Sequence, residues 1–119
     1  MNFEWSTNDI ATMTVTVYET NLNKAACAHF EDVNYVLLGI DKKTRQIGIK
    51  PVTKQELDDN IYPASQLHRI SLGKSYGRIS NKSFVYDLSQ EFKFDFSENQ
   101  CYKYKATYDV VHAIMIVQL

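Results

Sequence analysis

Short runs in which apolar and polar residues alternate recur along this chain, and a period of two commits each run to a strand with one buried face. Residues 12–18 alternate threonines with Met13, Val15 and Val17. Residues 46–52 alternate around Ile47 and Ile49 before Pro51, and residues 67–72 carry Ile70 and Leu72. Residues 100–108 alternate Tyr102, Tyr104, Ala106 and Tyr108. Two further runs are apolar nearly throughout, 33–40 and 113–119, and the second predicts an interior strand covered on both faces. With the polar stretch 41–45 as its loop, 33–52 reads as a β-hairpin.

Helical signals are fewer. Residues 24–31 lose the two-residue period and gain Ala25, Ala26 and Ala28, with Phe30 as an anchor. Thr53 and Glu56 have the spacing of a capping box, which predicts a short helix ended by Pro63. Phe84, Val85, Leu88 and Phe92 fall at helical spacing within 81–92.

The order strand, Asn-Lys, helix, strand, turn, strand occurs twice. Tyr18 to Asn23-Lys24 lies over Tyr76 to Asn81-Lys82, and Asp41 over Asp109. The fold expected is α+β and β-rich: two pseudo-repeated strand–helix–hairpin units, about 12–52 and 67–119, joined by a helical linker at 53–63. A unit this small exposes too much apolar surface to stand alone, so the two share one core, as a small barrel or sheet. At 119 residues, 45% of them apolar, the chain is sized for a single domain, 1–119. Its strand-rich ends predict edge-to-edge pairing in a homo-oligomer.

Met1–Asp9 has no apolar run of the signal-peptide kind, and no apolar run approaches the ~20 residues that cross a bilayer. With only Cys27 and Cys101, both read as small buried apolar residues, a reducing cytoplasmic setting is expected, with no membrane partner.

A net charge of −1 hides an uneven distribution. Residues 69–83 hold Arg69, Lys74, Arg78 and Lys82 and no acid, while 55–68 hold only the acids Glu56, Asp58 and Asp59. Lys24, Lys42, Lys43 and Arg45 form a second group of cations. An acid-free basic run suits an anionic partner.

Motifs for catalysis do not assemble. Gly73-Lys74-Ser75-Tyr76-Gly77 matches G-x-S-x-G, and Asp109 and His112 follow it in hydrolase order. That elbow needs a strand feeding a helix in a parallel sheet, which this chain is too short to build. A P-loop needs glycine where His68 stands. His29, His68 and His112 lack metal-ligand spacing, and Asp58-Asp59 point different ways on a helix. No enzyme, metal or cofactor is expected. Tyr102, Tyr104 and Tyr108 share a strand face opposite Lys103 and Lys105; that face reads as core with the lysines in water, against a nucleic-acid stacking platform as the other option.

From Tyr76-Gly77-Arg78-Ile79-Ser80 to Asn81-Lys82-Ser83-Phe84 the chain resembles the AbrB/SpoVT swapped-hairpin family, in its tandem-repeat form. Where that family has a proline before its helix, this chain has Asn81 and Asn23. The resemblance implies a transcription regulator or antitoxin-like protein that grips double-stranded DNA through basic residues on the strands and loops of a small barrel. The DNA-binding residues expected are Arg69, Lys74, Arg78 and Lys82, with Lys24, Lys42, Lys43 and Arg45 as a second patch. The alternative is a protein–protein interaction or structural module in which the same cations are solvated surface.

Overall fold

The computed structural model describes residues 1–3 and 10–119, so most of the polar N-terminal stretch lies outside the described residues. Within these, eight strands form: β1 (Thr12–Thr16), β2 (Glu19–Asn23), β3 (Tyr35–Asp41), β4 (Gln46–Val52), β5 (His68–Leu72), β6 (Tyr76–Ser80), β7 (Cys101–Asp109) and β8 (Ile114–Gln118). They close into a barrel in the order β1-β2-β6-β5-β3-β4-β8-β7, and every neighbouring pair is antiparallel. Three helices accompany it: α1 (Lys24–Cys27), α2 (Lys54–Asp58) and α3 (Lys82–Phe92), with single 3-10 turns at Ala28–Phe30 and Ala64–Gln66.

The alternation read in the sequence becomes the lining of the barrel. Met13, Val15, Leu22, Val36, Ile47, Ile49, Ile70, Ile79, Ala106, Met115 and Val117 are buried inside. Register carries this lining across the sheet: Met13 faces Leu22 on one side and Tyr104 on the other, and Ile47 faces Val117, which faces Ala106. The helices leave β2 and β6 at opposite ends, because α1 follows Asn23 beside Tyr76 whereas α3 follows Ser80 beside Glu19. Ala26 and Phe30 fill one end of the core, and Phe84, Val85, Leu88 and Phe92 the other.

The strand–helix–hairpin order needs correction: each half begins with a hairpin, β1-β2 or β5-β6, so the order is hairpin, helix, hairpin. The sequence conceals β2 and β6 because their inward positions are Thr20 and Leu22 in one and Gly77 and Ile79 in the other. Residues 73–77 are accordingly not one bend, since Gly77 lies within β6. A Cβ there would meet Cys27 Sγ at 2.8 Å and Leu72 Cδ2 at 3.0 Å, so the glycine lets α1 approach the sheet. Barrel closure also removes the free edges on which edge-to-edge pairing would depend. β8 is flanked on both sides, yet its outer face, with Ile114 and Ile116, is only half-buried rather than covered. Cys101 is exposed, not buried; Cys27 is half-buried, and its burial raises the thiol pKa.

Local polar contacts fix the connections. Asn23 Oδ1 accepts from Ala26 N at 3.0 Å and caps α1, and Asn81 Oδ1 accepts from Phe84 N at 3.0 Å and caps α3. Thr53 and Glu56 complete the capping box of α2. In the β3–β4 turn, Asp41 Oδ1 accepts from Lys43 N and Thr44 N at 3.0 and 3.2 Å. In the β7–β8 turn, Asp109 Oδ1 accepts from Val111 N and His112 N at the same two distances. Arg45 and Ala113 then close the turns in the left-handed region, at φ 56° and 53°.

Candidate nucleic-acid interface

Because the apolar side chains of β7, β1, β2, β6 and β5 point inward, the other half of each strand points outward, and there hydroxyl, amide and cationic residues predominate, half-buried on β1 and β2 and mostly exposed on β5, β6 and β7. One row runs Lys103, Thr14, Asn21, Arg78, Ser71 across five strands. Lys105 pairs with Thr12 in the next row, and Arg69 stands two residues from Ser71 on the outer side of β5. At about 4.8 Å per strand, the backbones carrying Lys103 and Arg78 lie roughly 14 Å apart. The acids on these five strands are Glu19 and Asp109, the latter folded into its own turn, where His112 Nδ1 meets its Oδ2 at 2.7 Å.

The expected cations do not all gather on this face. Arg69 and Arg78 lie on it, and Lys74, in the β5–β6 turn, stands at its end beside Lys24, since Asn23 pairs with Tyr76. Lys82 sits at the opposite end, over the Tyr18 ring at 4.8 Å. Lys42, Lys43 and Arg45 belong to the β3–β4 turn, and two of them meet α3: Lys42 Nζ is 3.6 Å from Glu91 Oε2, and Arg45 stacks over Phe92 at 5.0 Å. Lys103 and Lys105, by contrast, complete the face. Sequence reasoning assigned them to water but not to a site, because strands distant in the chain meet them only through the β1–β7 pairing that closes the barrel.

Among the described residues Arg69, Lys74, Lys103 and Lys105 make no ion pair. Arg78 Nε lies 3.5 Å from Glu19 Oε2. An exposed pair of this kind contributes at most about 1 kcal/mol, so Glu19 orients Arg78 without cancelling its reach for another anion.

His68 opens β5 opposite Val36, on the same side of the strand as the buried Ile70. Asn81 Oδ1 is occupied by Phe84 N, so its amide nitrogen is the donor and His68 Nδ1 the acceptor, which leaves the histidine proton on Nε2. Burial lowers the His68 pKa below its ordinary value. The unfolded chain therefore takes up the proton first. The stability contributed by neutral His68 is present above about pH 6.5 and is lost as pH falls through the lowered folded value. A His68→Gln variant should show a shallower loss of denaturation midpoint between pH 7.5 and 5 than the parent; identical slopes would remove His68 as the source.

Ser75 is exposed in a β-hairpin turn and feeds a strand, not a helix, so the geometry of a nucleophile elbow is missing there. His29 lies flat on Tyr108, ring centroids 4.2 Å apart. Tyr102, Tyr104 and Tyr108 share the side of β7 that carries buried Ala106; Tyr104 and Tyr108 pack against the core, and Phe94 stacks on Tyr102 at 4.7 Å. No helix among the described residues is long and apolar enough to cross a membrane. No family model matches the chain, and no curated protein or solved structure matches it significantly.

Proposed function

We propose that this chain is a non-catalytic DNA-binding protein of the transcription-regulator kind, a tandem member of the swapped-hairpin group, working in the cytoplasm. Duplex DNA lies against the outer face of β5, β6, β2, β1 and β7, with Arg69, Arg78, Lys103 and Lys105 on its phosphates and Lys74 and Lys24 at the margin. The observation that carries this reading is the composition of that face: four strand cations among threonine, serine and asparagine, with Glu19 as its one acid outside a turn. Phosphate contacts of this kind position a protein on DNA.

The two halves descend from one hairpin–helix–hairpin unit. In support, the asparagine caps at 23 and 81, the aspartate turns at 41 and 109 and the left-handed residues at 45 and 113 match in role. Two unpaired thiols fit a reducing compartment.

Titration against a random duplex tests the proposal. Each phosphate contact contributes about −0.9 to the slope of log affinity on log salt, so four give about −3.6, a loss of roughly a hundredfold between about 50 and 200 mM. Absence of binding at the lower salt would sink it. The second reading, a protein–protein module, is favoured by the β7–β8 turn, where Val110 and Val111 are 80% and 88% exposed.

A further inference from the structure

On the outer surface of β3, β4 and β8, Gly39 and Gly48 are register partners, side by side across two strands. Neither has a positive φ. A Cβ on Gly39 would meet nothing within 4 Å, and one on Gly48 would make only an ordinary 3.5 Å contact with Ile114 Cγ2. Neither backbone geometry nor packing demands glycine at either place, and glycine inside a strand weakens it. What the pair does is lower the surface. It floors a trough of about 470 Å³ walled by Leu37 and Ile114 and edged by Lys50 and His68, with no acid in its lining. That volume is within the range of small-molecule sites.

The polar edge has one sign. Lys50 Nζ donates to the His112 carbonyl at 3.2 Å and keeps two further N–H donors. Ser65 and Gln66 add neutral polar groups to the lining. An ammonium beside an apolar floor complements a ligand with an anionic end and an apolar body.

We propose that the trough binds a small apolar monocarboxylate, with an aryl or branched aliphatic body on the Gly39–Gly48 floor between Leu37 and Ile114 and the carboxylate held by Lys50. This site is separate from the cationic face and does not depend on DNA binding. Phenylacetate, followed by amide NMR shifts on the full chain, is the probe. At about 10 mM, enough to populate a millimolar site, it moves the signals of Leu37, Gly39, Gly48 and Lys50. Uncharged phenylacetamide binds about tenfold more weakly, as does phenylacetate to Lys50→Gln, the cost of a lost charge-assisted hydrogen bond. Gly39→Leu fills the floor and abolishes binding while melting no lower than the parent. The proposal is overturned by shifts centred on Arg78 and Lys103, by no shifts at all, by equal binding of acid and amide, or by a Gly39→Leu protein that binds normally.

Discussion

Replacing Arg69, Arg78, Lys103 and Lys105 together with glutamine lowers affinity for random duplex DNA at least about a hundredfold at low salt and flattens the salt slope by about 3.6, four contacts at about 0.9 each. All four side chains are exposed on strands whose stability comes from their inward faces, so the variant keeps the parent's melting temperature. The control is a pair of cations away from the face: Lys54 on α2 and Lys93 after α3, both exposed, whose replacement leaves binding within about twofold. Lys42→Gln with Lys43→Gln separates the face from the patch expected at the β3–β4 turn. If that pair reduces affinity as much as the four strand cations do, DNA lies against α3 and the β3–β4 turn, and the five-strand face is wrong. Equilibrium binding at two salt concentrations reads both quantities at once.

That face was only half legible in the sequence, for a reason that lies in barrel closure. Arg69, Lys74 and Arg78 are neighbours in the chain and remain neighbours in space, because a hairpin joins β5 and β6. Lys103 and Lys105 reach the same face through β1, which pairs with β7 at a separation of about ninety residues in the chain (Thr12 with Lys105). No local pattern encodes such a pairing. Lys42, Lys43 and Arg45, expected as a second patch, are equally basic in sequence, yet Glu91 and Phe92 of α3 meet two of them.

The fold itself was more readable where side-chain chemistry is strong. The capping box at Thr53, the helix at 82–92, the tyrosines on the Ala106 side of β7 and the polar turns after Asp41 and Asp109 each follow from a local rule that the surroundings do not override. β2 and β6 escaped because a strand needs only its inward positions to be apolar. Here those positions include Thr20, buried without a hydrogen-bond partner for its hydroxyl among the described residues, and Gly77, kept bare by the approach of Cys27. Such residues are set by what stands across the barrel, and period-two reasoning looks only along one strand.

Phe30→Ala costs about 3–5 kcal/mol of folding stability, a large part of the 5–15 kcal/mol that domains generally have. Phe30 is the largest fully buried side chain among the described residues and sits in the 3-10 turn that follows α1 at one end of the core. A helix of four residues has little stability of its own, so this end depends on the packing of Ala26 and Phe30, and truncation leaves a cavity that strands fixed by eight antiparallel pairings cannot collapse to fill. Phe94→Ala is the comparison: Phe94 is only half-buried on the aromatic cluster with Tyr102, and its loss should cost clearly less. Denaturant midpoints at unchanged m-value give both numbers. Should Phe30→Ala fail to fold, Phe30→Leu retains most of the volume and should lose about 1–1.5 kcal/mol. A Phe30→Ala protein within about 1 kcal/mol of the parent would mean that α1 and its turn are not part of the core, and the barrel would have to be closed at that end by something else.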